Sequence, residues 1–362
     1  MSNEKSCCNS SNSCCSIEPI TLYNKKDKWI TGEIHTPIGR VPTILTNLQF
    51  KDMLGAWKVR WGIGRMNYKI NTGLYAIGKP DHTSPVLVTA NYKLTFDVFR
   101  KELSGLNCWV LILDTKGINV WCAAGKGTFG TDELVNRISK TGLAKIVSHR
   151  KLILPQLGAP GVSAHEVTKQ TGFSIVYGPV RAKDIKEFLD SDYNATKKMR
   201  TVEFTALDRL VLTPVEVVSA AKLSLKVFGV LFLINLFATR PFGIEDFIAY
   251  IGAIITGTII TPLLLPIVPG SSFAWKGWLL GMLWTLGFIF YSSWFVSGFL
   301  LLAIGYLLVL PALSAYLAMN FTGSSTYTSF SGVIKEMKIA VPLISVSLIV
   351  GIVLLLINSF RA

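Results

Sequence analysis

Charge is scarce in this sequence and unevenly spread. Only 16% of the 362 residues are Asp, Glu, Lys or Arg, against about 25% in soluble proteins. From Ser219 onward there are seven Lys or Arg and three Asp or Glu, whereas residues 1–218 carry twenty-nine and nineteen. That break excludes a single soluble domain, and the two sides need separate arguments. Also missing is the apolar core of a secretory signal, since residues 1–16 are mostly Ser, Asn and Cys. The first domain is therefore expected in a reducing compartment, where thiols stay free. No run of Lys and Arg interleaved with aromatics is present, so nucleic acid is not an expected partner. The basic excess of residues 1–218 fits an anionic substrate or, more simply, the anionic face of a membrane. Histidine is rare: His35, His82, His149 and His165 are scattered, with no metal-ligand spacing.

Where charge is absent, five apolar stretches appear: residues 223–239, 247–268, 277–293, 295–319 and 339–357. Each approaches the ~20 residues needed to cross ~30 Å of hydrocarbon. Lys222, Lys226, Lys276, Lys335 and Lys338 flank one side, Arg240 and Arg361 the other. The asymmetry predicts a multi-pass protein of the cytoplasmic membrane, with the N-terminus inside and the C-terminus outside. No Asp, Glu, Lys or Arg falls at the centre of a stretch, which favours an anchor over a transporter. Pro262, Pro266 and Pro311 are candidate helix breaks, and Gly277 with Gly281 makes a helix-packing spacing.

Residues 1–19 read as a disordered, Cys-containing tail. Residues 20–199 read as an α/β domain, 200–221 as a connector, and 222–362 as the all-α transmembrane domain. In the α/β part, strands are expected at 86–89, 109–113, 144–147 and 173–176, with helices at 94–103, 134–138 and 182–189. That alternation predicts a parallel, Rossmann-like sheet. Ligands bind such sheets outside the carboxyl ends of the strands. The loops that begin at Ala90, Asp114, Ser148 and Tyr177 are therefore the candidate ligand loops.

The second of these leads into Asn119-Val120-Trp121-Cys122-Ala123-Ala124-Gly125-Lys126. Trp121 to Ala124 suits a short helix stopped by Gly125 and Gly127, which puts Cys122 at the ligand crevice. From spacing alone, Cys122 is equally a ligand-facing thiol and a small buried apolar residue. The Gly125-to-Gly130 run matches GxGxxG but begins too far past its strand for a dinucleotide loop. It is not a Walker A loop either, because Val120 stands where Gly is required and Gly127 replaces Ser or Thr.

The octapeptide resembles the cap-helix signature of the mercury-methylating corrinoid proteins (HgcA). The stretches 86–95, 156–162 and 177–180 resemble the corrinoid-binding domain of the related corrinoid iron–sulfur protein of acetyl-CoA synthesis. A membrane domain of about five spans is likewise a feature of the first family. The resemblance implies a cobalamin or related corrinoid whose cobalt takes Cys122 as its lower axial ligand, in place of a histidine or dimethylbenzimidazole. No DxHxxG motif surrounds any histidine here. A soft thiolate raises electron density along the axis, which suits methyl transfer to Hg(II), giving methylmercury. On the same resemblance Thr89 lies beneath the ring. Asn119, Val120, Trp121 and Gly125 border the cofactor, and Ala123 and Ala124 let it approach closely. Leu157, Gly158, Ala159 and Gly161 offer backbone donors. It also implies a ferredoxin-like partner with two 4Fe–4S clusters as reductant, and a methylated folate as methyl donor through a methyltransferase. The vicinal pairs Cys7-Cys8 and Cys14-Cys15 are not ferredoxin runs; they either capture Hg(II) or have no specific role.

Overall fold

The computed structural model describes residues 27–292 and 300–361. The N-terminal stretch with its two cysteine pairs lies outside the described residues. Contacts divide the chain into two compact units: up to Ala56 with Met66–Thr201, and Trp57–Arg65 with Val202 onward.

Among the described residues the first unit is built on seven strands: β1 (Ile30–Thr36), β2 (Gly39–Ile44), β3 (Gly73–Ile77), β4 (Val86–Ala90), β5 (Cys108–Leu113), β6 (Lys151–Leu154) and β7 (Ser174–Tyr177). Their order is β1-β2-β3-β5-β4-β6-β7. Strands β5, β4, β6 and β7 run parallel, β3 lies antiparallel to β5, and β1 and β2 form an antiparallel hairpin. The α/β class is as the alternation predicts, but the sheet is mixed. β1 to β3 form an edge that the sequence reading did not include. The signals were local: Ile34 and Thr36 fall on one face of β1, and Gly39 with φ 147° completes the turn.

Helices cover both faces. Helices α1 (Phe50–Arg60) and α2 (Lys93–Glu102) precede α3 (Val120–Gly125), α4 (Thr131–Lys140), α5 (Ala164–Thr171) and α6 (Ile185–Asp190). Leu134 and Ile138 of α4 and Val167 of α5 pack on the face of Val86, Val88 and Leu111. Phe96 and Phe99 of α2 and Phe188 of α6 pack on the opposite face, with Leu87, Val110 and Ile112. The period-2 alternation of each strand assigns residues to these two cores. β4 is followed by its neighbour on one side (β5) and then the chain crosses to the other side (β6), so the switch point of the parallel strands lies between β4 and β6.

One expected strand is corrected. Residues 144–147 are not a strand: Leu143–Lys145 is a single 3-10 turn entered through Gly142 at φ 56°. Leu143, Ile146 and Val147 are apolar because one turn plugs them all into the core. The strand follows at Lys151–Leu154. The Ser148 loop accordingly sits at the amino edge, where the Ser148 N–H donates to His82 O at 2.8 Å and the His149 ring contacts Ser84 O at 2.9 Å. The carboxyl-edge loop after this strand is Pro155–Gly161.

Among the described residues of the second unit, five helices are long and apolar enough to cross a membrane: Ala206–Asn235, Ile244–Leu264, Phe273–Tyr291, Leu300–Gly323 and Ser331–Phe360. The first begins inside the stretch expected as a connector. A capping box starts it there: the Asp208 N–H donates to Thr205 Oγ1 at 3.2 Å, and the Thr205 N–H donates to Asp208 Oδ2 at 3.0 Å. The helices therefore exceed the apolar stretches and carry Glu216, Lys222 and Lys276 within their length. The second span contains a π-helical turn, Thr256–Ile260, just before Pro262. Pro311 lies inside the fourth span without ending it. Gly277 and Gly281 are packing residues: a Cβ on Gly277 would stand 2.7 Å from Ser314 O, and one on Gly281 2.9 Å from Pro311 Cα.

Candidate functional site

Four loops leave the carboxyl ends of the parallel strands, after Ala90, Leu113, Leu154 and Tyr177. Buried hydrogen bonds tie the first two together. Asn91 Oδ1 accepts the N–H groups of Thr115 and Gly117, both at 3.1 Å, and Asn91 Nδ2 donates to Asp114 Oδ1 at 3.1 Å. The Thr115 hydroxyl lies 2.9 Å from Asn91 Oδ1 and 2.6 Å from Ile118 O, and its one proton serves one of them at a time. Lys116 takes φ 59° and Gly117 φ 73°, so the loop turns through two left-handed residues. Partial burial pushes the Asp114 carboxyl up, but the Lys116 side chain and N–H and the Asn91 amide hold it below the ordinary carboxylate value. The Asp114 N–H donates to Glu133 Oε1 at 2.8 Å, which also takes the Arg137 guanidinium at 2.7 Å.

This braced loop delivers α3. Asn119 is its N-cap, in extended conformation, with Oδ1 accepting the Cys122 N–H at 2.9 Å. At the other end Ala123 O accepts the N–H groups of Thr128 at 2.9 Å and Phe129 at 3.1 Å. The glycine run thus folds back over the helix rather than cradling phosphate, with Gly127 at φ 76° making the turn.

Of the expected site residues on α3, Trp121 and Gly125 are exposed and Asn119 and Cys122 are half-exposed. Val120, Ala123 and Ala124 are buried in the apolar core with Phe129 and Leu134. The two alanines are therefore small because protein packs on them. The Gln156–Gly161 turn is what packs there: a Cβ on Gly161 would lie 2.2 Å from Phe129 O and 3.0 Å from Ala124 Cα. A Cβ on Gly158 would lie 2.5 Å from the Phe129 ring. Leu157 is half-buried against the same core, and Ala159 is half-exposed beside it. Thr89 is buried next to the last position of β4, paired with Ile112. Alternation puts it on the opposite sheet face from Val88, Ala90 and the buried side of α3. The structure therefore brings Asn119 to Gly125 together with Leu157 to Gly161 and leaves Thr89 apart from them.

Only two cysteines fall among the described residues, and their surroundings differ. Cys108 is fully buried in β5, and burial pushes its thiol up to about 12. Cys122 keeps access to solvent. Among the described residues no group of three His, Cys, Asp or Glu gathers into a metal site, and Cys122 is the one described cysteine at this edge.

Two residues of the first loop were missed as site residues: Asn91, and Lys93 just after it. Lys93 Nζ donates to Asp52 at 2.8 Å and Asp97 at 2.6 Å. The fully buried Arg100 bonds Asp97 at 2.8 Å and Asp52 at 2.7 Å, and also reaches the carbonyls of Leu45 and Asn47. Every charge in this buried cluster is paired, as burial requires. It fixes the start of α2 directly below the loop that braces α3. Both residues lie in the 86–95 stretch that carries the resemblance, but nothing local in it signals their hydrogen-bond and ion-pair roles.

Residues 51–189 match the family of the CO dehydrogenase/acetyl-CoA synthase delta subunit. The chain is also 34% identical over 131 residues to the acetyl-CoA decarbonylase/synthase complex subunit gamma of Methanocaldococcus jannaschii, covering 36% of this chain and 26% of that relative. It is 35% identical over 115 residues to subunit gamma 2 of Methanosarcina thermophila, 31% of this chain and 24% of that relative. For the gamma subunit of Methanothermobacter thermautotrophicus the identity is 27% over 152 residues, 41% and 33%. The chain thus spans between a quarter and a third of the length of these relatives. The comparisons bear out the likeness to the acetyl-CoA synthesis branch; their descriptions do not mention mercury.

Proposed function

We propose that this protein transfers a methyl group from a corrinoid held through Cys122 to Hg(II), giving methylmercury. The observation that carries the reading is Cys122 itself: a solvent-accessible thiol on a capped helix at the carboxyl edge of a doubly wound sheet, in a domain related to subunits of acetyl-CoA-forming complexes. The site suits such a group in its donor chemistry, offering one soft sulfur with exposed Trp121 and Gly125 on either side of it. Bound there, a corrinoid supplies a cobalt centre for methyl and electron transfer.

The chain's own part is placement. Asn119 fixes the Cys122 backbone, so the sulfur projects from a helix start whose orientation is set before any ligand arrives. The Asn91 network holds the loop that leads into α3, and Phe129 with the Gln156–Gly161 turn backs the helix from the protein side. The ligation surface is then the Trp121–Cys122–Gly125 side of α3, not the alanine side. A ferredoxin-like reductant with two 4Fe–4S clusters and a folate-linked methyl supply complete the scheme. The five spans anchor it with the α/β domain in the cytoplasm, where basic flanking residues favour the inner leaflet. A second reading is favoured by the comparisons: the same ligation, with the methyl passed to another acceptor, as the names of the acetyl-CoA-complex relatives suggest.

The test is the full chain with cobalamin. Wild type and Cys108→Ala should bind it in a base-off form with the absorption of cobalt–thiolate ligation, and should methylate Hg(II). Cys122→Ala should lose both properties while remaining folded. An unchanged spectrum in Cys122→Ala sinks the ligation; retained ligation without methylmercury favours the second reading.

A further inference from the structure

Helix α1 is docked by one side only. Asp52 enters the buried ion cluster with Lys93 and Arg100, and Val59, two turns on, is buried. At 100° per residue these two positions share one face. On the opposite face Phe50, Met53, Leu54, Trp57 and Trp61 recur at helical spacing within an arc of about 100°. Phe50 is 73% exposed, Met53 53% and Trp57 56%, and Ile63 and Met66 continue the exposed series beyond the helix. The rings of Trp57 and Trp61 lie 6.0 Å apart. Scattered apolar side chains on a surface need no explanation, but a contiguous stripe marks a partner or a membrane.

Charge and continuity decide which. Lys51 and Lys58 border the stripe on one side and Arg60 on the other, with Arg65 following. Asp52 is the only acid between Phe50 and Arg65, and it is already ion-paired. The segment is thus cationic wherever it meets solvent. The last residues of α1, Trp57–Arg60, and the Trp61–Arg65 turn after it belong to the compact unit that holds the five apolar helices. We propose that the outward face of α1 lies in the headgroup boundary of an anionic phospholipid leaflet. Phe50, Met53, Leu54 and Trp57 enter the acyl margin, and the flanking Lys and Arg sit among the phosphates. This is the composition of helices that lie along a membrane surface: aromatic and apolar on one face, basic at its borders. It does not depend on what Cys122 binds.

The full chain in nanodiscs of phosphatidylcholine and phosphatidylglycerol tests it. The photo-crosslinking residue p-benzoylphenylalanine is placed at Met53, at Trp57 or, as an exposed polar reference, at Lys169 of α5. On irradiation, intact-mass analysis should show phospholipid adducts at positions 53 and 57 at least tenfold above position 169. In phosphatidylcholine alone those adducts should fall severalfold, because the basic border loses its counter-charge. Comparable labelling at all three positions overturns the proposal, as do adducts to protein only, which would make the stripe a docking face for a second copy or a partner. Adducts that do not change without phosphatidylglycerol overturn the anionic-lipid specificity. Both substituted positions are exposed, so cobalamin binding and gel-filtration behaviour should match wild type; Leu54→Glu gives an independent variant, expected to lower the position-57 adducts severalfold.

Discussion

Replacing Asn91 by Ala removes the one side chain that joins the two central carboxyl-edge loops. The substitution leaves the Thr115 and Gly117 N–H groups, which Asn91 Oδ1 accepts at 3.1 Å, buried and without a partner. Each such loss costs about 1–3 kcal/mol, so the loop should be destabilised by roughly 2–6 kcal/mol. The Thr115 hydroxyl adds little to that sum, because Ile118 O remains at 2.6 Å to accept its proton. For a domain of this size about 2–4 °C of Tm accompanies each kcal/mol, so the α/β domain should melt at least several degrees lower. Because the loop delivers Asn119 and Cys122, cobalamin ligation should weaken more than global stability. Asn91→Asp separates the two roles of the side chain. It keeps the acceptor for both N–H groups but sets a carboxylate against Asp114 Oδ1, where an amide donated at 3.1 Å. It should be as damaged as the alanine variant at neutral pH and recover as pH falls, once one proton is shared between the carboxyls. The assays are Tm by intrinsic fluorescence in detergent and the visible spectrum of added cobalamin. An Asn91→Ala protein with wild-type Tm and wild-type cobalamin spectrum would refute the bracing role.

Gly161→Ala should lower Tm and cobalamin uptake together, since its Cβ meets the Phe129 and Ala124 backbone rather than a movable side chain; overpacking of this kind costs about 1–3 kcal/mol, and an unaffected protein would show that the turn is not seated on α3. Ala124→Leu should increase protease sensitivity and not merely eject the cofactor, because Ala124 faces the protein core; a folded, protease-resistant variant with lost ligation would restore the corrin-contact reading. The carboxyl of Asp52, which burial pushes up, is held below its ordinary 3.8 by Lys93, the Gln49 N–H and Arg100, and Asp114 is likewise depressed. A depressed carboxyl stabilises the fold above its ordinary value and loses that contribution as pH falls through the folded value, so Tm should drop on acidification below about pH 4, less steeply in Asp52→Asn; a flat Tm profile there would remove these carboxyls from the account.

Much of the fold was legible because its elements announce themselves by period. The buried runs at β4, β5 and β7 and the amphipathic α4 with Gly142 after it were placed within a few residues, and the five apolar stretches each fall on a long helix, although the first helix starts seventeen residues and the fifth eight residues before its stretch. What failed did so for identifiable reasons. Leu143, Ile146 and Val147 are as apolar as a strand, and nothing in their composition reveals that a left-handed Gly142 has already turned the chain. β1 and β2 are half polar and β3 is a buried run of five residues; local composition can suggest each strand, but their pairing with one another and with β5 is long-range information. For the site, Cys122 and its cap were readable because capping chemistry is local. The orientation of Ala123 and Ala124 was not, since it depends on a turn more than thirty residues away that folds back onto α3. Thr89 illustrates the same limit: its place at a strand end is local, but its face is set by the whole sheet.

The glycines of the membrane unit have a mechanical consequence. Gly257 of the second span, Gly277 and Gly281 of the third, and Gly351 of the fifth each bring backbone against the fourth span so closely that a single methyl group would not fit. Such contacts have no compliant side chains between them, so they either hold or separate. The fourth span therefore acts as a keystone to which three others are keyed, and those four should move as one rigid slab. Gly229 of the first span, by contrast, has nothing within 4 Å of where its Cβ would be. The first span is held instead by side chains, with Arg209 Nη2 donating to Leu263 O at 3.0 Å and the Ser224 and Tyr250 hydroxyls 3.0 Å apart, contacts that can lengthen and re-form where a backbone-on-backbone seam cannot.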